Sequence, residues 1–170
     1  ADTQTPQGIV AVIQKEEVGL PDFRQGKYLF LEDVQDPGNV GTMIRTADAA
    51  GFTGVIVSDK SADIYSLKTL RSMQGSHFHL PIYRMPVATF VEEAKKRNLP
   101  ILATTLSRDS KEYRELSSLE NFVLVMGNEG QGISSVMAES ADQLVHIGMK
   151  GRAESLNVAV AAGILMFYFS

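Results

Sequence analysis

Short apolar runs, bounded by glycine, proline, asparagine or aspartate, recur along the chain with stretches of helical period between them. Such runs predict strands buried on both faces near residues 9–13, 28–32, 54–57, 80–83, 101–104, 122–126 and 144–147. Apolar positions three and four apart predict helices near 40–50, 64–72, 86–97, 133–139 and 155–169. The third of these opens with Pro86, where a missing N–H costs little. Strand, helix and strand in alternation imply an α/β fold with a mostly parallel, doubly wound sheet. In such sheets ligands bind beyond the carboxyl ends of the strands. Three segments fall at those ends and hold most of the unusual residues: "LEDVQDPGNVGTMIRTADAAG", "VMGNEGQGIS" and "IGMKGRAESLNVAVAAG".

Composition narrows the chemistry. With 170 residues and 44% hydrophobic content, the chain suits one α/β domain with a substantial core. There is no cysteine, which excludes disulfides, thiolate metal sites and cysteine nucleophiles. The three histidines, His77, His79 and His146, lack metal-ligand spacing, so no metal is expected. The formal charge of −4 argues against a protein that coats nucleic acid, although a local basic patch remains compatible with it. No apolar stretch reaches the roughly 18 residues needed to cross a bilayer, so no membrane partner and a cytoplasmic location are expected. The longest one, near the end of the chain, is apolar on every side and suits a core helix or a subunit interface.

The second segment looks at first like a phosphate loop. Its glycines, Gly127, Gly130 and Gly132, follow neither the Walker nor the dinucleotide order, no lysine accompanies them, and Glu129 would repel phosphate. What such a loop offers is bare backbone against which a flat, weakly charged ligand can lie, because glycine lacks Cβ. In the first segment Pro37 and Gly38 read as a turn and Asn39 as the cap of a helix whose stripe is Val40, Met43, Ile44 and Ala47. Arg45 lies off that stripe, either as a solvated surface residue or reaching back toward Asn39 over roughly 9 Å of helix axis. In the third segment Ser155 reads as a natural cap, while Asn157 enters an apolar helix and must find partners or cost about 1–3 kcal/mol.

Together, N-V-G-x-x-x-R-T-A-D-A-A-G, V-M-G-N-E-G-Q-G-I-S and I-x-M-x-G-x-x-E-S-L-N-V-A-V-A-A-G-I resemble, in order and spacing, the three motifs of the SpoU (TrmH) branch of the SPOUT RNA methyltransferases. The resemblance extends from about Gln7 to the end of the chain. It implies methyl transfer from S-adenosyl-L-methionine to a ribose 2′-hydroxyl of RNA, in a homodimer, with a deep trefoil knot at the C-terminal end of the sheet. Threaded chains are very rare, so the knot is expected from the resemblance alone. Ribosomal RNA is favoured over transfer RNA on the wording of "GNEGQGIS" and "ESLN". A catalytically silent RNA-binding module of the same fold is the alternative, and the joint presence of Arg45, Glu129, Ser155 and Asn157 counts against it.

Position by position, the resemblance implies cofactor contacts at Gly127, Ile147 and Leu156, with Met126, Asn128 and Met149 beside them and Thr104 joining at its strand end. It implies a catalytic set of Asn39, Arg45, Glu129, Ser155 and Asn157, with Arg45 central and Glu129 available to pair with a cation such as Arg45. Gly148 stands where family members often have proline, which would loosen that loop. For RNA, one candidate cluster is Lys68, Arg71, His77 and His79, and another is Arg108, Lys111 and Arg114. Residues 1–7 read as a linker and 8–170 as the methyltransferase domain, with a substrate-binding domain expected upstream in a longer protein.

Overall fold

A computed structural model describes residues 25–170. The linker-like residues 1–7 and the strand expected near 9–13 lie outside that range. Seven strands form one parallel sheet: β1 (Lys27–Leu31), β2 (Gly54–Val57), β3 (Ile82–Arg84), β4 (Ile101–Thr104), β5 (Lys111–Glu112), β6 (Phe122–Met126) and β7 (Gln143–His146), in the spatial order β3-β2-β1-β6-β4-β7-β5. Five helices flank it: α1 (Pro37–Ala49), α2 (Leu67–Met73), α3 (Val87–Lys96), α4 (Ser135–Ser140) and α5 (Val158–Phe169).

The central strands β1, β2, β4 and β6 are buried on both faces, as uninterrupted apolar runs require, whereas β3, β5 and β7 are partly exposed. In β1, Leu29 and Leu31 pack with α1, α2 and α5, whereas Tyr28 and Phe30 point to the opposite cluster, built with α3 and α4. The second cluster centres on Phe30 stacked on Phe90 at 4.1 Å between ring centroids. Helices on both faces make the sheet doubly wound. Helix α1 packs very closely on α2, because a Cβ on Gly41 would collide with Ser72 Cβ and meet the Thr69 carbonyl oxygen at 2.6 Å.

Three expectations about element ends are corrected. Helix α1 begins a turn earlier than expected, with Pro37 at its first position and Asp36 as its cap, whose carboxylate accepts from Asn39 N–H at 3.0 Å. Asn39 is therefore inside the helix and is not its cap. Helix α5 begins at Val158 with Asn157 as its cap, so Ser155 lies before the helix and does not cap it. The strand expected at 80–83 runs Ile82–Arg84. Strand β5 was not expected, since two residues are too few for a period to register.

Candidate active site

The carboxyl ends of β4, β6 and β7 open into a cleft of about 450 Å³, within the range of small-molecule sites. One wall is the loop after β6. Asn128 N–H donates to the Gly132 carbonyl at 3.1 Å and Gly132 N–H returns to Asn128 O at 2.9 Å, closing a tight ring. Asn128 Oδ1 accepts from Gly130 N–H (2.9 Å) and Gln131 N–H (3.0 Å), and its Nδ2 donates to Asp33 O at 2.8 Å. Gly132 sits at φ +70°, in the left-handed region that glycine adopts freely. Gly127 is buried so tightly that a Cβ there would run into the Gly132 carbonyl carbon and the Ile133 nitrogen.

Two carboxylates fix this loop. Glu129 accepts from Asp36 N–H (3.0 Å) and Gln35 N–H (3.3 Å), just ahead of α1. The expected pairing of Glu129 with Arg45 is therefore corrected: the carboxylate is taken by backbone N–H groups. Glu32, only 2% exposed, accepts from Ser134 N–H (2.6 Å) and Ser134 Oγ–H (2.7 Å), holding the start of α4 against the end of β1. Sequence reasoning missed Glu32, although an acid placed directly after an apolar strand was a visible signal.

The second wall is the segment after β7. Asn157 Oδ1 accepts from Ala159 N–H (2.8 Å) and Val160 N–H (3.2 Å), and its Nδ2 donates to Asn39 Oδ1 at 3.2 Å. This is how the amide that had to find partners finds them, and it joins the first turn of α1 to the start of α5. Asn157→Ala is expected to cost about 0.5–2 kcal/mol and lower the thermal midpoint. Asn157→Asp keeps the cap acceptor, loses only the donor to Asn39 and should cost less. Thermal denaturation of both variants checks this, and equal midpoints for wild type and Asn157→Ala would refute the capping role.

Gly148 lies against Glu112 on β5, where a Cβ would come within 3.6 Å of Glu112 Cγ. Desolvation pushes the Glu112 pKa up, but Arg114, through its N–H (2.8 Å), its Nε (2.9 Å) and its charge, together with the Gly148 N–H, holds it below the ordinary value. His146, at the end of β7, was also missed. It lines the cleft with Nδ1 2.8 Å from Ser110 Oγ, and that hydroxyl donates to Ser107 O at 2.6 Å. Its signal was its position directly before the third motif.

The structure brings Thr104, Met126, Gly127, Asn128, Ile147, Met149 and Leu156 to the cleft, with Glu129 and Ser155 on its rim beside Glu154. Thr104 Oγ1–H is turned inward to Val125 O at 2.9 Å. Asn39, Arg45 and Asn157 do not line the cleft. Arg45 is exposed on α1, and among the described residues no carboxylate lies within ion-pair distance of it.

The basic clusters divide. Lys68 and Arg71 are exposed on α2 and Arg108 on the loop after β4. Lys111 lies exposed on β5, Arg114 is occupied by Glu112, and His79 Nδ1 sits 3.4 Å from Asp48 Oδ2. His77 is half-buried. Desolvation lowers its pKa, its Nδ1 is buried without a hydrogen-bond partner among the described residues, and its ring lies 4.0 Å from that of Phe78.

A parallel α/β sheet with a glycine loop and a cap-bounded segment closing a cleft at its carboxyl edge defines an enzyme-like class of small-ligand domain. Comparison with known proteins gives the family. The SpoU rRNA Methylase family profile matches residues 26–167, and the chain belongs to that family. It is 46% identical over 167 residues to the 23S rRNA (guanosine(2553)-2'-O)-methyltransferase RlmP of Bacillus subtilis, covering 98% of this chain and 66% of that protein. It is 32% identical to the putative TrmH family tRNA/rRNA methyltransferase YacO of the same organism, covering 95% and 68%. The AdoMet-bound rRNA methyltransferase of Sinorhizobium meliloti superposes with a TM-score of 0.82 at 39% identity, over 89% of this chain and 60% of that one. The chain thus spans about two thirds or less of the length of most of these relatives. Among the described residues no helix is long and apolar enough to cross a membrane.

Proposed function

We propose that this chain binds S-adenosyl-L-methionine in the cleft and transfers its methyl group to a ribose 2′-hydroxyl of ribosomal RNA in the cytoplasm. The observation that carries the reading is the convergence of residues from three strand ends and two distant loops on one cleft whose chemistry suits that cofactor. Ile147, Met149, Leu156 and Leu165 offer apolar surface, the Gly127–Gly132 backbone offers close approach, and no lysine or arginine lines the cleft to hold a phosphate. The 46% identity to a 23S rRNA methyltransferase supports ribosomal RNA over transfer RNA. Residues 8–170 are read as one methyltransferase domain. The segment leading into α5 is read as threaded into a trefoil knot, a reading supported by the family and by β6 lying between β1 and β4. A homodimer is supported by the stripe Val160, Ile164 and Phe167, which α5 leaves 54%, 37% and 56% exposed.

Bound S-adenosyl-L-methionine supplies an electrophilic methyl on a sulfonium. The chain's own task is to hold the 2′-oxygen in line, near 3–3.5 Å, and to stabilise the charge that develops on it. A guanidinium has donors and no acceptor, so Arg45 acts as a clamp on the adjacent phosphate and a partner for the developing alkoxide, with a phosphate oxygen receiving the hydroxyl proton. Asn157 holds Asn39 on the first turn of the helix that carries Arg45. Ser155 and Glu154 line the cleft. Glu129 orders the glycine loop through Gln35 and Asp36 and takes no proton in this scheme.

Calorimetric titration with S-adenosyl-L-methionine, with NAD as control, tests the reading. Saturable binding of the first alone is expected. Absence of heat from S-adenosyl-L-methionine would move the silent RNA-binding module ahead.

A further inference from the structure

Phe78 is 67% exposed, more than any other phenylalanine or tyrosine among the described residues. It is not on a loose loop. Helix α2 ends with Gln74 (φ 50°) and Gly75 (φ 85°) in successive left-handed conformations, after which Ser76–Phe78 forms a single 3-10 turn. Phe78 N–H donates to Gly75 O (3.0 Å), and His79 and Leu80 N–H both donate to Ser76 O (3.0 and 3.1 Å). Ser76 and Leu80 are buried on either side. The ring is therefore presented outward by a fixed backbone, with the His77 ring against it at 38°.

The turn lies along α1. Gly38, Gly41, Arg45 and Asp48 fall on one stripe of that helix at helical spacing. Gly38 lies toward the side chains of Lys68 and Ser72, Gly41 packs on Thr69 and Ser72, and Asp48 meets His79. Arg45, between Gly41 and Asp48, is thus on the flank facing this turn. Among the described residues no carboxylate lies within ion-pair distance of Arg45, Lys68 or Arg71. On a chain of net charge −4 these cations form a positive track along α1 and α2 that leads to an exposed aromatic ring, a combination that suits phosphates and an unpaired base. The apolar stripe of α5 has no such cations among it and is of a different kind.

We infer that Phe78, on its fixed turn at the end of the α1 flank along which Lys68, Arg71 and Arg45 are exposed, is a stacking platform for an unpaired base of the substrate RNA neighbouring the methylated nucleotide. This rests on the RNA methyltransferase reading and adds to it a recognition element. Such stacking is sequence-tolerant, because every base has a π-face, and removing the ring weakens binding by about tenfold or more.

The probe is an RNA hairpin whose single-stranded loop carries 2-aminopurine, titrated against the full chain and against Phe78→Leu and Phe78→Trp. Wild type and Phe78→Trp should bind the loop and quench its fluorescence. Phe78→Leu, which keeps the apolar bulk without the ring, should bind about tenfold more weakly and not quench. All three should keep the same thermal midpoint and the same calorimetric affinity for S-adenosyl-L-methionine. Equal binding and quenching by Phe78→Leu, or no hairpin binding by wild type, overturns the platform. A change of sedimenting mass in Phe78→Leu also overturns it, by assigning the ring to a contact between copies of the chain. Failure of wild type to bind S-adenosyl-L-methionine strikes the methyltransferase reading instead, so the two failures are distinguishable.

Discussion

On the proposed clamp role, replacing Arg45 by alanine is expected to lower methyl transfer by about 10²–10³-fold, the usual consequence of losing a preorganised donor to the transition state. Affinity for S-adenosyl-L-methionine should stay within about twofold. Three observations separate these readouts. Arg45 is exposed, so its loss opens no cavity in the core; it does not line the cleft, so cofactor contacts survive; and it makes no ion pair among the described residues that would be broken. Arg45→Lys keeps the charge but loses the planar fork that grips a phosphate through two parallel bonds, so it should restore only part of the rate. Single-turnover methylation of RNA with labelled cofactor, alongside calorimetry, makes the comparison. Transfer within about threefold of wild type in Arg45→Ala would remove this residue from the centre of the mechanism.

Gly127→Ala is expected to abolish cofactor binding at concentrations that saturate wild type and to destabilise the fold by about 1–3 kcal/mol, as overpacking of a tight site does. The atoms a new methyl would strike are backbone atoms of Gly132 and Ile133, which cannot swing aside as a side chain would. They belong to the ring closed between Asn128 and Gly132, so relief must come from opening that ring and moving the cleft wall. Gly130 is the internal control. A Cβ there meets only Asn128 Oδ1, at 3.6 Å, so Gly130→Ala should bind the cofactor as wild type does. Thermal denaturation with cofactor titration of both variants decides the matter, and wild-type binding by Gly127→Ala would show that the wall does not contact the ligand.

Much of the scaffold was legible. The runs that became β1, β2, β4 and β6 were readable because a strand buried on both faces is apolar at nearly every position. Helix α1 was readable from Val40, Met43, Ile44 and Ala47, all fully buried. Its start was misplaced because Asn39 and Asp36 are both good caps, and the choice fell to Asp36 once Pro37 took the first helical position. Ser155 and Asn157 posed the same ambiguity and resolved toward Asn157.

The amino-acid order by itself determined the local features: strand and helix periods, the glycine loop, the three motifs and the absence of cysteine chemistry. These depend on residues within a few positions of one another. The tertiary structure decided who meets whom. The bonds from Glu129 to Asp36, from Ser134 to Glu32 and from Asn157 to Asn39 span 93, 102 and 118 residues. The first two exist because β6 inserts between β1 and β4 and brings the loop after β6 beside the start of α1, and the third because α5 packs on α1. Strand order and register are set by the packing of the whole sheet, which no local pattern encodes. That is why motif residues that line the cleft, such as Gly127, Ile147 and Leu156, could be named in advance, while His146 in the cleft, the partners of Glu129, the position of Arg45 outside it and the outward ring of Phe78 could not.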